Sequence, residues 1–129
     1  MTLNERIDAI ESGYEFMLAY AAQGRSTDKG GGGAGANLRE FLVGMDEALA
    51  GLGAAALAAA EQRNANVVED CQAFLDAIDQ DAKRAQGLVR LVLSRADITS
   101  QLIDNVNASI HLRALLTDLF VIDEALKGS

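Results

Sequence analysis

The sequence predicts an all-α protein, an antiparallel up-down four-helix bundle with a long Gly-rich loop after the first helix. Three observations carry that expectation. Apolar residues recur at intervals of three and four through nearly the whole chain, the spacing that builds one buried stripe on a helix. Proline is absent, and the hydrophobic 50% of residues is dominated by Ala and Leu, so helix formers fill the sequence and the strongest helix breaker never enters it. A chain of 129 residues suffices for one hydrophobic core and falls short of two, so a single domain over residues 1–129 is expected.

The first helix announces itself with Thr2 and Glu5, the spacing of a capping box in which hydroxyl and carboxylate satisfy each other's free backbone amides. Leu3, Ile7, Ile10, Tyr14, Met17, Leu18 and Ala21 then form one stripe, and Gly24 ends it. The segment from Gly24 to Ala36 contains four successive glycines at positions 30 to 33. Such a run maximises backbone entropy and has nothing to bury, so residues 24–36 are expected to form a flexible loop.

The second helix is expected over about Asn37 to Ala60, with Leu38, Phe41, Leu42, Met45, Leu49, Leu52 and Ala56 along its apolar side. Asn66 and Glu69 repeat the capping spacing and restart a third helix, striped by Val67, Cys71, Phe74, Ile78, Ala82, Ala85, Val89 and Val92. Glu61 to Ala65 contains no strong breaker, so the alternative is one continuous rod whose hairpin dimerises into a bundle. Asp97 is read as the N-cap of a fourth helix reaching Lys127, with Gly128 as its stop. Its last turns are apolar around most of the circumference.

Charge and cysteine usage narrow the function classes. A net charge of −8 argues against a grip on nucleic acid or anionic lipid, which needs clustered Lys and Arg. Cys71 is the only cysteine, so no disulfide forms within the chain and a reducing, cytoplasmic setting fits. The acidic first twenty residues do not match a secretory signal, and no apolar run is long enough to span a bilayer.

No cluster of acid, base and nucleophile is visible, so the chain is not expected to be an enzyme or to hold a cofactor. One histidine cannot supply the paired Glu-x-x-His motifs of di-metal carboxylate bundles. Lys29 precedes the glycines and none follows, so the loop lacks the nucleotide-binding order of residues. His111 shares a strip with Asp104, Asn107 and Asp118 by spacing. A lone histidine on a four-helix bundle resembles the arrangement of histidine phosphotransfer domains, which implies a phosphoacceptor role. Leu112, Arg113 and Ala114 stand where those modules carry a lysine and a small residue. An axial Met17–His111 pair for haem is disfavoured because Met17 belongs to the core stripe.

A second face on the first helix, Ala9, Gly13, Phe16 and Tyr20, suggests an intermolecular contact, matched by Gly44, Ala48, Gly51 and Ala55 on the second helix. Phe120 and Val121 at the over-apolar end of the fourth helix are candidate contributors. The competing expectation is that the protein's own interior uses both stripes. The function read from these residues is protein association, as a homo-oligomer, adaptor, regulatory or chaperone-like subunit. The alternatives are phosphotransfer at His111 and a small-ligand or cofactor pocket inside the bundle.

Overall fold

The computed structural model describes residues 1–30, 34–63 and 65–127, with the side chains of residues 34–36 and 65 left aside. Within them the chain is all-helical, in six segments: α1 (Leu3–Ala21), α2 (Ala34–Leu49), α3 (Leu52–Arg63), α4 (Ala65–Leu93), α5 (Ser100–Ala108) and α6 (His111–Lys127). Six segments stand where four were expected, because the second and fourth helices each break once.

The first break lies at Gly51. Its φ of +76° is the left-handed conformation that ends a helix and that glycine adopts without steric cost. The chain turns by 50° from α2 into α3. Arg6 of α1 secures the bend by donating from its guanidinium to the Ala48 and Ala50 carbonyls, at 2.9 and 2.5 Å. These are acceptors that the end of α2 leaves without helical partners. The second break lies at Ser109–Ile110. Ile110 has a φ of +62°, rare for a β-branched residue and worth on the order of 1–3 kcal/mol of strain.

The capping box forms as its spacing implies, with Thr2 N donating to Glu5 Oε1 at 2.9 Å and Glu5 N to Thr2 Oγ1 at 3.1 Å. Thr99 rather than Asp97 caps α5, accepting from Leu102 N at 2.9 Å. The expected stop at Gly128 lies outside the described residues. α3 packs along α4, so the chain reverses between Arg63 and Ala65 and the two are not one continuous rod. α1 packs on α2 and α5, and α4 on α2 and α6. The shared core is built from Ile10, Met17, Leu38, Leu42, Met45, Leu52, Ile78, Ile98, Ile103 and Leu115, all fully buried.

The start of the Gly-rich segment is anchored. Ser100 N donates to Arg25 O at 2.9 Å and Arg25 N to Ser100 Oγ at 2.8 Å. Thr27 Oγ1 donates to Asp97 Oδ1 at 2.7 Å, and Asp28 is only 5% exposed. At the other end α2 begins at Ala34, three residues before the expected start, while glycines 31 to 33 lie outside the described residues. Among the described residues no single helix is long and apolar enough to cross a membrane.

Candidate functional site

The residues proposed as one contact face divide between interior and surface. Gly13 is buried because a β-carbon there would collide with the Met45 side chain, so its smallness lets α1 approach α2. Tyr20 is fully buried, and its hydroxyl donates to Ile98 O at 2.6 Å while its carbonyl accepts from Ser100 Oγ at 2.7 Å. Burial first, and then the nearby Asp28 charge, raise its pKa. Both residues therefore belong to the internal packing, as does Ala48 on α2.

Ala9 and Phe16 stay half-buried at the surface. Phe16 stacks on Phe41 of α2, with ring centroids 4.4 Å apart and planes 18° from parallel, a geometry that favours the pair beyond simple area burial. Beside the stack, Ala9, Ser12, Asn37, Glu40, Phe41 and Gly44 line a shallow groove of about 400 Å³ between α1 and α2. Gly44 sits on it with open space where a β-carbon would be, since nothing lies within 4 Å. Small residues on the second helix had pointed to a surface here, but not to Phe41, which reads in sequence as an ordinary core position.

Phe120 and Val121 are 48% and 53% exposed. They sit on α6, which packs on α4 and α1, so the structure does not join them to the α1–α2 groove. Phe120 shares a strip of α6 with Asp123 and Lys127, three and seven residues on. Those two, with Leu126, Leu3, Ala55, Ala59 and Arg63 among others, line a larger groove of about 720 Å³. The groove lies among α1, α3 and α6, where α3, turned by 50° from α2, packs mainly along α4 and more lightly on α1.

His111 is exposed on the first turn of α6. The break at Ile110 separates it from Asn107, which turns inward and donates to Met17 O at 3.3 Å. The strip expected from spacing is thereby divided. Met17 is fully buried, whereas the imidazole is exposed, so the two do not face one enclosed cavity. Cys71 is half-buried against the core.

Two carboxylates have environments that spacing alone does not reveal. Asp28 is buried and accepts from Arg39 Nε at 2.7 Å and from Ile98 N at 2.9 Å. Burial pushes its pKa up, but these hydrogen bonds and the guanidinium charge outweigh that and hold it below the ordinary value. Arg39 also donates to the Leu93, Arg95 and Ala96 carbonyls at 3.1, 2.7 and 3.1 Å, closing the end of α4. Asp118 of α6 has its pKa pushed up to about 6, by burial first and then by the hydrogen bond and charge of Asp81 on α4. Among the described residues no three His, Cys, Asp or Glu side chains converge as metal ligands.

Among the described residues these features define an all-helical protein with a groove between α1 and α2, a groove among α1, α3 and α6, and a buried carboxylate paired with a partly exposed guanidinium. No protein-family model, curated protein or solved structure matches the chain.

Proposed function

We propose that the protein works by association, docking a helix of a second copy or of another protein in the groove between α1 and α2. In this reading α2–α3 and α5–α6 each serve as one bent rod of an antiparallel bundle in the cytoplasm, without catalytic turnover. Gly44 is the observation that carries the proposal. A glycine in mid-helix costs about 1 kcal/mol relative to alanine, and no internal neighbour would obstruct a β-carbon there. A close external approach gives the missing side chain a use, and Ala9 supplies a second small floor residue facing the same groove. The half-buried Phe16–Phe41 stack adds apolar area next to it, with Ser12, Asn37 and Glu40 as a polar rim.

Amide chemical shifts recorded over a range of protein concentrations test this. Shifts confined to the neighbourhood of Ala9, Ser12, Phe41 and Gly44 support it, and so do shifts there on addition of a captured partner. Invariant shifts at these positions in both experiments reject it.

A second reading takes its support from the groove between α1, α3 and α6, whose volume of about 720 Å³ falls within the range of small-molecule sites. In that reading Leu3, Ala55, Ala59 and Leu126 hold the apolar body of a ligand.

A further inference from the structure

The groove between α1 and α2 joins a small, apolar floor to an acidic rim. Gly44 leaves room there for a close backbone, Ala9 faces it, and the stacked rings of Phe16 and Phe41 stand beside them. Asn37 and Gly44, seven residues apart on α2, both line the groove, so it follows α2 for about two helical turns, roughly 10 Å.

The rim carries charge of one sign. Glu40 lines the groove, and Glu47 follows Gly44 by three residues on the same strip of α2. On α1, Asp8 and Glu15 stand four residues before and three residues after Ser12, which lines the other wall. All four carboxylates are exposed, and the ion pairs among the described residues use none of them. The cations of these two helices are engaged elsewhere. Arg6, the only Lys or Arg of α1, donates to the Ala48 and Ala50 carbonyls, and Arg39, the only one of α2, pairs with Asp28.

Granting the α1–α2 groove as the docking site, the reading on which this rests, we infer that its occupant is a cationic amphipathic helix of another protein. The apolar strip of that helix lies on Gly44 and Ala9, and its Lys or Arg residues reach Asp8 and Glu15 on one side and Glu40 and Glu47 on the other. A second copy of this chain is a poorer match. An isologous contact through the same face would bring two sets of these carboxylates together in chains of net charge −8, with no cation of α1 or α2 between them. A basic helix meets an unpaired carboxylate with each flanking side chain, and the same field steers its approach.

Three synthetic helical peptides with one Leu and Ala strip, flanked on both sides by Lys, by Gln or by Glu, test this when titrated into the whole protein. The Lys peptide should shift the amides of Ala9, Ser12, Phe41 and Gly44. It should bind about tenfold more tightly than the Gln peptide in about 0.05 M salt and about twofold more tightly in about 0.5 M salt, with the Glu peptide weakest. Neutralising the rim with Asp8→Asn, Glu15→Gln, Glu40→Gln and Glu47→Gln should leave the helical circular dichroism and the Gln-peptide affinity unchanged and remove the preference for Lys. Glu40→Gln with Glu47→Gln alone should reduce that preference to about threefold. Gly44→Gln should weaken the Lys peptide by about tenfold or more, because a side chain there blocks the close approach.

A Lys peptide that binds Gly44→Gln as tightly as wild type is held by net charge alone and overturns the inference. So does a Gln or Glu peptide that binds as tightly as the Lys peptide, or a preference for Lys that survives neutralisation of the rim. Self-association through the groove that shuts out the Lys peptide overturns the cationic partner and leaves groove docking standing. Amides at the groove that stay unshifted by any peptide and at any protein concentration overturn both.

Discussion

Asp28 and Arg39 form an ion pair at 2.7 Å in which the carboxylate is almost completely buried and the guanidinium is about one-third exposed. The pair joins the loop after α1 to the start of α2. Its remaining hydrogen bonds reach the backbone at the end of α4 and at Ile98, so four parts of the chain meet there.

Removing the carboxylate while leaving the cation should therefore cost more than a surface pair would. Asp28→Ala is expected to destabilise the fold by about 2 to 3 kcal/mol, measured by urea unfolding, because Arg39 and the Ile98 amide lose their acceptor together. A loss below about 0.5 kcal/mol would mean that solvent replaces the pair at no cost. Shortening the segment after Lys29 spares Asp28 and should be tolerated, whereas a deletion that takes Asp28 should not.

The pH dependence of stability should carry two opposing contributions. Asp28 has a folded pKa below its ordinary 3.8, so its stabilisation is present above that value and is lost as pH falls through the lower folded one. Asp118 has a folded pKa of about 6, so its stabilisation is present below 3.8 and is lost as pH rises through about 6. Chemical denaturation across this range should show stability declining from about pH 4 to about pH 7. Asp118→Asn should flatten that decline and gain about 1 kcal/mol at neutral pH, after allowance for partial solvent exposure.

Two glycines that look alike in sequence should respond oppositely to alanine. Gly13→Ala forces Met45 to move and is expected to cost about 1 to 3 kcal/mol. Gly44→Ala meets open space and should stabilise the monomer by about 0.5 to 1 kcal/mol through helix propensity. Thermal unfolding of both variants at low protein concentration makes the comparison.

His111 is accessible, as a phosphoacceptor must be, but nearby Arg113 is its only basic companion on the first turn of α6. Incubation with a phosphorylated donor domain is expected to leave the protein unlabelled. An acid-labile phosphoryl group that disappears in His111→Gln would replace association with phosphotransfer as the leading function.

Helical content and most core residues were legible because strong stripes such as Ile10–Met17 and Ile78–Val92 fix their own phase. The bend at Gly51 was not legible. It lies in a run of Ala, Leu and Gly where apolar periodicity has no phase to lose, and Gly51 read as one more small residue on a face. Asp28 was hidden for the converse reason, since a carboxylate among Ser, Thr, Lys and Gly looks solvated until Arg39 is brought back from eleven residues away. The contact face was half legible. Spacing identified the α2-facing flank of α1 but could not separate Gly13 and Tyr20, which the interior consumes, from Ala9 and Phe16, which reach the surface. It follows that Phe16→Glu would break the ring stack within the monomer, making it a poor probe of association.

A cleaner probe is Gly44→Gln, which places a neutral, helix-favouring side chain in the groove without touching the core. Sedimentation equilibrium of wild type and variant is the most direct test of association through α1 and α2. Wild type should weigh more than the 13.6 kDa of one chain, alone or with a partner helix added, and Gly44→Gln should return to one chain's mass with its helical circular dichroism intact. A wild type that stays at 13.6 kDa under both conditions, or a variant that associates as strongly as wild type, would contradict the account.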